Sequence, residues 1–151
     1  MAVNTVTVEA PPDIVFSVLA DPPSYASVVV GTKTIRRFDA RFPEQGTQFH
    51  HTLGIGPLPV IWDLSRVEEV DDGRRLVLRA QMRPLAVNRV AFTVRPAGAG
   101  TEVEVEEYAI EGPVALLWNP GFEALMSLRN TEMLRRLKKL SERRHALATA
   151  P

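Results

Sequence analysis

Between Thr32 and Ala109 the chain alternates apolar and polar residues in short runs, broken by turn signals about every ten residues. After Gly112-Pro113 the period changes to that of one long helix. A series of strands followed by a single long helix excludes most architectures. Candidate strands lie near Thr32 to Arg41, Thr47 to Leu53, Val60 to Val70, Arg75 to Met82, Val87 to Arg95 and Thr101 to Ile110. Turn residues separate them at Pro43 to Gly46, Gly54 to Pro59, Asp71 to Gly73, Arg83-Pro84 and Pro96 to Gly100. Leu76, Leu78, Ala80 and Met82 share one face, as do Val90, Phe92 and Val94. Val67 and Val70 do not keep one phase, which places a bulge between them. The helical pattern is interrupted at Asn119-Pro120-Gly121 and runs on to about Arg144. At about 100° per residue, Phe122, Met126, Met133, Leu137 and Leu140 fall within one stripe. Roughly 25 residues at about 1.5 Å each make a rod of about 37 Å, enough to cross about six strands spaced about 4.8 Å apart.

Upstream, Val6 and Val8 alternate with Thr5 and Thr7 in a strand from Val3 to Glu9, stopped by Ala10-Pro11-Pro12. DIVFSVLA, Asp13 to Ala20, puts Ile14, Val15, Val18 and Leu19 at helical spacing, with Pro12 suited to a first turn. DPPSYAS reads as a second short helix or turn. The expected class is α+β: a curved antiparallel sheet of about seven strands around a long C-terminal helix, with two short helices after the first strand. The 151 residues contain no internal repeat or linker and read as one domain, with a frayed tail from about residue 145. A bent sheet around a helix leaves a space wherever the facing side chains are too small to fill it.

Charge and composition narrow the partners. Lys plus Arg equals Asp plus Glu at 18 each, so no global field recruits nucleic acid, an anionic membrane or an acidic substrate. The most basic run, LRRLKKLSERR, sits on outer helix faces near a C-terminus, where cations suit the macrodipole, and it reads as solvated. The chain has no cysteine, which removes disulfides, thiolate nucleophiles and thiolate-rich zinc sites. MAVNTVTVEA lacks the features of a signal peptide, and no apolar stretch approaches the roughly 20 residues of a membrane span. A soluble, cytoplasmic protein is expected. GIGPLP lacks the lysine and spacing of a phosphate-binding loop and reads as a strand connection.

The pattern resembles a known family along VTVEAPPDIVFSVLADPPSY, RVEEVDDGRRLVLRA, GTEVEVEEYAIEGP and LRNTEMLRRLKKLSE. It is similar to the polyketide cyclase/dehydrase-like branch of the START and birch-pollen-allergen-like superfamily, and this implies a helix-grip fold. The likeness runs from Val6 to about Glu142 and contains no catalytic signature, so it speaks for fold more than for activity. One departure lies after Tyr25, where many relatives carry a tryptophan and this chain has Ser27-Val28-Val29-Val30.

Candidate chemistry begins with the adjacent His50-His51. Consecutive strand residues point to opposite faces, so the pair cannot ligate one ion, and no metal or cofactor is expected. Phe49, His51 and Leu53 share the apolar face, which takes His51 inward and leaves His50 to solvent unless a one-residue bulge exchanges them. An inward imidazole moves protons at neutral pH or serves as a hydrogen-bonded core residue. On the next strand the expectation is that Val60, Trp62 and Leu64 face inward, with Asp63 and Ser65 in water. Glu107 continues the inward phase of Val103 and Val105 unless the strand bulges toward Tyr108 and Ile110, and Arg129 lies inside the helical stripe. Burying either alone would be costly. Together they form an ion pair, or Arg129 holds a ligand anion while Glu107 acts as base, or Arg129 packs its stem and sends its head out to water. Asn88 and Asn130 are weaker candidates for orienting a ligand. Trp118, Phe122 and Met126 are expected to line the cavity from the helix, with Phe49, Trp62, Leu64, Leu78, Met82 and Phe92 lining it from the sheet, while Met133 to Leu140 packs as solid core.

Three functions fit. One is binding of a hydrophobic, aromatic or polycyclic small molecule inside the cavity. Another, implied by the resemblance, is a cyclase, aromatase or dehydratase in which His51, Glu107 or Arg129 moves a proton or stabilises an enolate. A third is a protein-interaction module. Ligand readings require an open cavity of roughly 300 Å³ or more, whereas a collapsed interior with an exposed apolar patch favours the third.

Overall fold

The computed structural model describes residues 1–55, 58–82 and 85–150, and the side chains of 55 and 58–62 lie outside that description. The expected turn at Arg83-Pro84, Gly56-Pro57 within GIGPLP, and the side chains of Val60 and Trp62 therefore fall outside the described residues.

Strands are β1 (Ala2–Val8), β2 (Thr32–Phe38), β3 (Gln48–Ile55), β4 (Leu58–Asp71), β5 (Arg75–Met82), β6 (Ala86–Ala97) and β7 (Gly100–Glu111). They form one antiparallel sheet in the order β1-β7-β6-β5-β4-β3-β2. The first strand thus pairs with the last, and the rest follow as a meander. Between β1 and β2 lie α1 (Pro12–Leu19), a 3-10 turn at Pro22–Ser24 and α2 (Tyr25–Val28). After β7 come α3 (Pro113–Leu116) and α4 (Pro120–Thr149). This is the α+β helix-grip arrangement expected from the sequence.

Local chemistry explains the breaks. Proline stands in the first turn of α1, α3 and α4, where its missing N–H costs nothing. Asn119 caps α4 by accepting from the Phe122 N–H at 3.0 Å. The register shift between Val67 and Glu69 is the bulge that the lost phase of Val67 and Val70 implies. α4 continues to Thr149, through the segment from about residue 145.

The core forms where the C-terminal half of α4 and α1 cover the sheet. Met133, Leu134 and Leu137 of α4 pack with Val15, Phe16, Val18 and Leu19 of α1 against Val8, Leu76, Phe92, Val94, Val103 and Val105. Each such aliphatic side chain contributes about 1.5–3 kcal/mol on burial. Polar ties fix the helix along the sheet edge. Asn4 Nδ2 donates to Ser127 Oγ at 2.9 Å and to Thr131 Oγ1 at 3.0 Å. Lys138 Nζ donates to the Thr7 carbonyl at 3.1 Å. Arg144 reaches Asp21 at 3.1 Å and Ser17 at 3.2 Å. Toward its N-terminus α4 leaves that core, and Leu125 and Leu128 are 60% and 69% exposed.

Candidate functional site

Beside the core, side chains of the sheet, α2 and α4 enclose a cavity. Tyr25, Val29, Phe49, Leu53, Leu78, Ala80, Met82, Val90, Phe92 and Met133 form its apolar wall. Thr32, His51, Asp63, Ser65, Asn88, Glu107 and Arg129 supply polar groups. Its free volume is about 60 Å³, well short of the roughly 300 Å³ expected of a ligand pocket.

Two polar clusters divide that wall. On β3 and β4, His51 Nε2 lies 3.3 Å from Asp63 Oδ2 and 3.2 Å from Ser65 Oγ, and all three residues are buried. Burial pushes Asp63 up to about 6, against the opposing pull of the Leu64 and Gln81 backbone N–H groups and of Arg129. Burial likewise lowers His51 to about 4, helped by the positive charges of Arg36 and Arg129. At neutral pH the pair is a carboxylate beside a neutral imidazole. On β6, β7 and α4, Asn88 Nδ2 donates to Glu107 Oε1 at 2.9 Å, and Arg129 Nη1 reaches Glu107 Oε2 at 3.4 Å. Arg129 Nη2 also lies 3.4 Å from the Val30 carbonyl. Glu107 is 3% exposed, whereas the Arg129 side chain keeps 29% of its surface in contact with solvent, so its head marks the outer end of this cluster. The Tyr25 hydroxyl is committed to the Leu19 carbonyl at 2.6 Å, and its ring packs on Phe49 with centroids 4.7 Å apart.

The structure brings Phe49, His51, Leu78, Met82, Asn88, Phe92, Glu107 and Arg129 together on one cavity, as the strand and helix phases require. His50 stays outside, accepting from Arg37 Nη2 at 3.3 Å. Leu64 does not line the cavity. The β3–β4 register sets Phe49 opposite Ser65 and His51 opposite Asp63, while Leu64 pairs with the outward His50. Directly opposed antiparallel residues share a face, so Asp63 and Ser65 turn inward and Leu64 outward. Trp118, Phe122 and Met126 do not line it either. Trp118 and Phe122 pack on each other with centroids 5.1 Å apart at the α3–α4 junction, and the indole N–H donates to Glu123 at 3.3 Å. Met133 packs in the core, as expected, and also borders the cavity. Asn130 is fully buried on α4 but is not a cavity residue. Sequence reasoning missed Asp63, Ser65 and Thr32. The signal that finds the first two is the hairpin register, because an inward His51 carries its opposite number with it.

Among the described residues no cluster of His, Asp or Glu could hold a metal ion, and no helix is long and apolar enough to cross a membrane.

No curated protein matches the chain by sequence. Solved structures share its fold at low identity. The Zhui aromatase/cyclase from Streptomyces sp. R1128 superposes with a TM-score of 0.71 at 20% identity, covering 99% of this chain and 98% of that one. The di-domain aromatase/cyclase StfQ of the steffimycin biosynthetic pathway gives 0.72 at 15% identity, covering 94% of this chain and 50% of its own. Ara h 8.0201 gives 0.70 at 10% identity, covering 92% and 95%. At these identities the likeness is one of fold. The family model for "Polyketide cyclase / dehydrase and lipid transport" matches residues 2–142, so it spans every strand of the sheet and most of α4. By that match the chain belongs to the polyketide cyclase/dehydrase and lipid transport family.

Proposed function

We propose that the chain binds a small hydrophobic molecule carrying oxygen substituents in the cavity between sheet and α4. The observation that supports this reading is the polar content of an otherwise apolar wall. Thr32 Oγ1, His51 Nδ1 and Asn88 Oδ1 are buried and, among the described residues, have no hydrogen-bond partner. A core built only for stability keeps few such atoms, since each costs about 1–3 kcal/mol unless its bonding capacity is filled. Family membership, which joins cyclases to lipid carriers, points the same way. The free volume of about 60 Å³ sets a limit on size. A ring-sized ligand enters by displacing Met82 and Met133, whose unbranched side chains repack readily. Native mass spectrometry of the purified protein, with extraction of any bound compound, is expected to recover an apolar molecule bearing hydroxyl or carbonyl groups. A protein that carries none and binds no hydroxylated aromatic or lipid on titration sinks the reading.

A second reading, an enzyme of the cyclase, aromatase or dehydratase kind, draws on the proximity of His51, Asp63, Glu107 and Arg129. Environments that push an acid up and a base down are how sites prepare proton transfer. With a substrate in hand, His51→Ala, Glu107→Gln and Arg129→Met each abolish turnover while retaining binding; unchanged turnover in all three removes this mechanism. A third reading, a protein-interaction module, draws on the exposure of Leu116, Leu117, Leu125 and Leu128.

A further inference from the structure

Asp63 stands closest to the chemistry of His51. Its Oδ2 lies 3.3 Å from His51 Nε2, and Ser65 Oγ lies 3.2 Å from the same nitrogen. The other ring nitrogen, Nδ1, is buried on a cavity-lining side chain and has no partner among the described residues. A neutral imidazole carries one N–H, and the bond made by one nitrogen decides the role of the other. A carboxylate only accepts, so Asp63 draws the ring proton to Nε2 and leaves Nδ1 with a free lone pair.

We infer that Asp63 is a positioning residue that holds His51 in its Nε2–H form, so that Nδ1 accepts a hydrogen bond from a hydroxyl of the bound ligand. The ligand class is accordingly phenols or alcohols, in preference to hydrocarbons or to compounds whose oxygens only accept. This rests on the reading of the cavity as a ligand site, and sharpens it.

The surroundings support the assignment. Asp63 Oδ1 accepts from the Leu64 backbone N–H, which holds the carboxylate in place with Oδ2 turned to the ring. An asparagine here keeps its oxygen on that N–H and turns its NH2 toward Nε2. Nε2 must then accept, and the ring proton moves to Nδ1. Protonation has the same result. A proton added to the pair leaves an N–H at Nδ1 whether the carboxylic acid donates to Nε2 or the ring becomes imidazolium. The other charged groups around the ring are Arg36 on β2, His50 on β3 and Arg129 on α4, all of which disfavour the imidazolium. Glu107 on β7 and the Tyr25 phenol on α2 also face the cavity.

Two measurements test the inference. In wild-type protein at neutral pH, nitrogen NMR of His51 should show a pyridine-like Nδ1 and a pyrrole-like Nε2; the reverse pattern overturns it, and this arm needs no variant. Phenol and fluorobenzene, close in shape but differing in the donor, serve as probes in calorimetric titrations. Asp63→Asn should weaken phenol about tenfold relative to fluorobenzene, the loss of one hydrogen bond to a buried acceptor. It should also move the proton signature to Nδ1. An unchanged ratio of the two affinities overturns the inference and leaves the cavity reading standing. Failure of phenol to bind wild-type protein overturns the inference, whereas the cavity reading stands or falls by the ligand extraction and titrations above.

Discussion

At the scale of single residues, His51 and Asp63 carry opposing pH dependences. Asp63 is raised from 3.8 to about 6 on folding, so the folded state binds more protons than the unfolded chain between those values. Stability from this group therefore falls as pH rises from about 4 to about 6. His51 is lowered from 6.5 to about 4, so the unfolded chain binds more protons there, and stability rises with pH over nearly the same window. In the wild type the two slopes largely offset. Single replacements unmask them: relative to wild type, His51→Gln loses stability as pH rises from about 4 to about 6, and Asp63→Asn loses it as pH falls from about 6.5 to about 4. Each effect is bounded at about 3 kcal/mol, since a tenfold change in proton affinity is worth about 1.4 kcal/mol. Denaturant titrations across this range check both signs; parallel curves for the two variants would contradict the assignment. His51, Glu107 and Arg129 were legible in the sequence because each is an ionisable residue in phase with an apolar face. Asp63 was not. Asp63 alternates with Leu64 as a solvated residue would, and only pairing with β3 shows that His51 takes Asp63 inward.

At the scale of elements, α4 divides into two halves with different dependence on tertiary packing. Leu137 is fully buried in the core, whereas Leu125 and Leu128 are mostly exposed. Leu137→Ala should cost about 2–5 kcal/mol in denaturant unfolding. The double replacement Leu125→Ser with Leu128→Ser should stay within about 1 kcal/mol of wild type, since surface changes are small. The link from β7 to α3 depends on Gly112, at φ 91° and ψ 174°. A Cβ there would stand 2.6 Å from the Leu85 carbonyl oxygen. Gly112→Ala should therefore cost at least about 1–3 kcal/mol, the range for a residue forced into a conformation reserved for glycine. Thermal melts measure it; an unchanged melting temperature would show that the β7–α3 link adjusts freely. Strands were the most legible elements. β5 begins and ends where the alternation places it, and the bulge in β4 was visible as a loss of phase. The helical stripe was read less well, because periodicity reports an inward side but not what lies beneath it. Phe122 and Met126 belong to the stripe yet lie away from the cavity, and Met133 reaches it.

At the scale of the whole molecule, binding inside the cavity links β3 to β7 with α2 and α4, so occupancy should stabilise the fold as a unit. A ligand at about a hundredfold excess over its dissociation constant adds about 2.7 kcal/mol. In a chain of this size that raises Tm by roughly 5–10 °C. A confirmed ligand that leaves Tm unmoved would show that it sits elsewhere. The sequence by itself determined the order of elements, the alternation along each strand, the long amphipathic helix and the balance of charge. These follow from local periodicity and composition, which one strand or helix expresses without its neighbours. Tertiary structure alone decided which face of β4 turns inward, where along α4 the cavity ends and how little free space it holds. Those depend on the pairing between strands and on the depth at which side chains from α2, the sheet and α4 meet, and no local pattern encodes them.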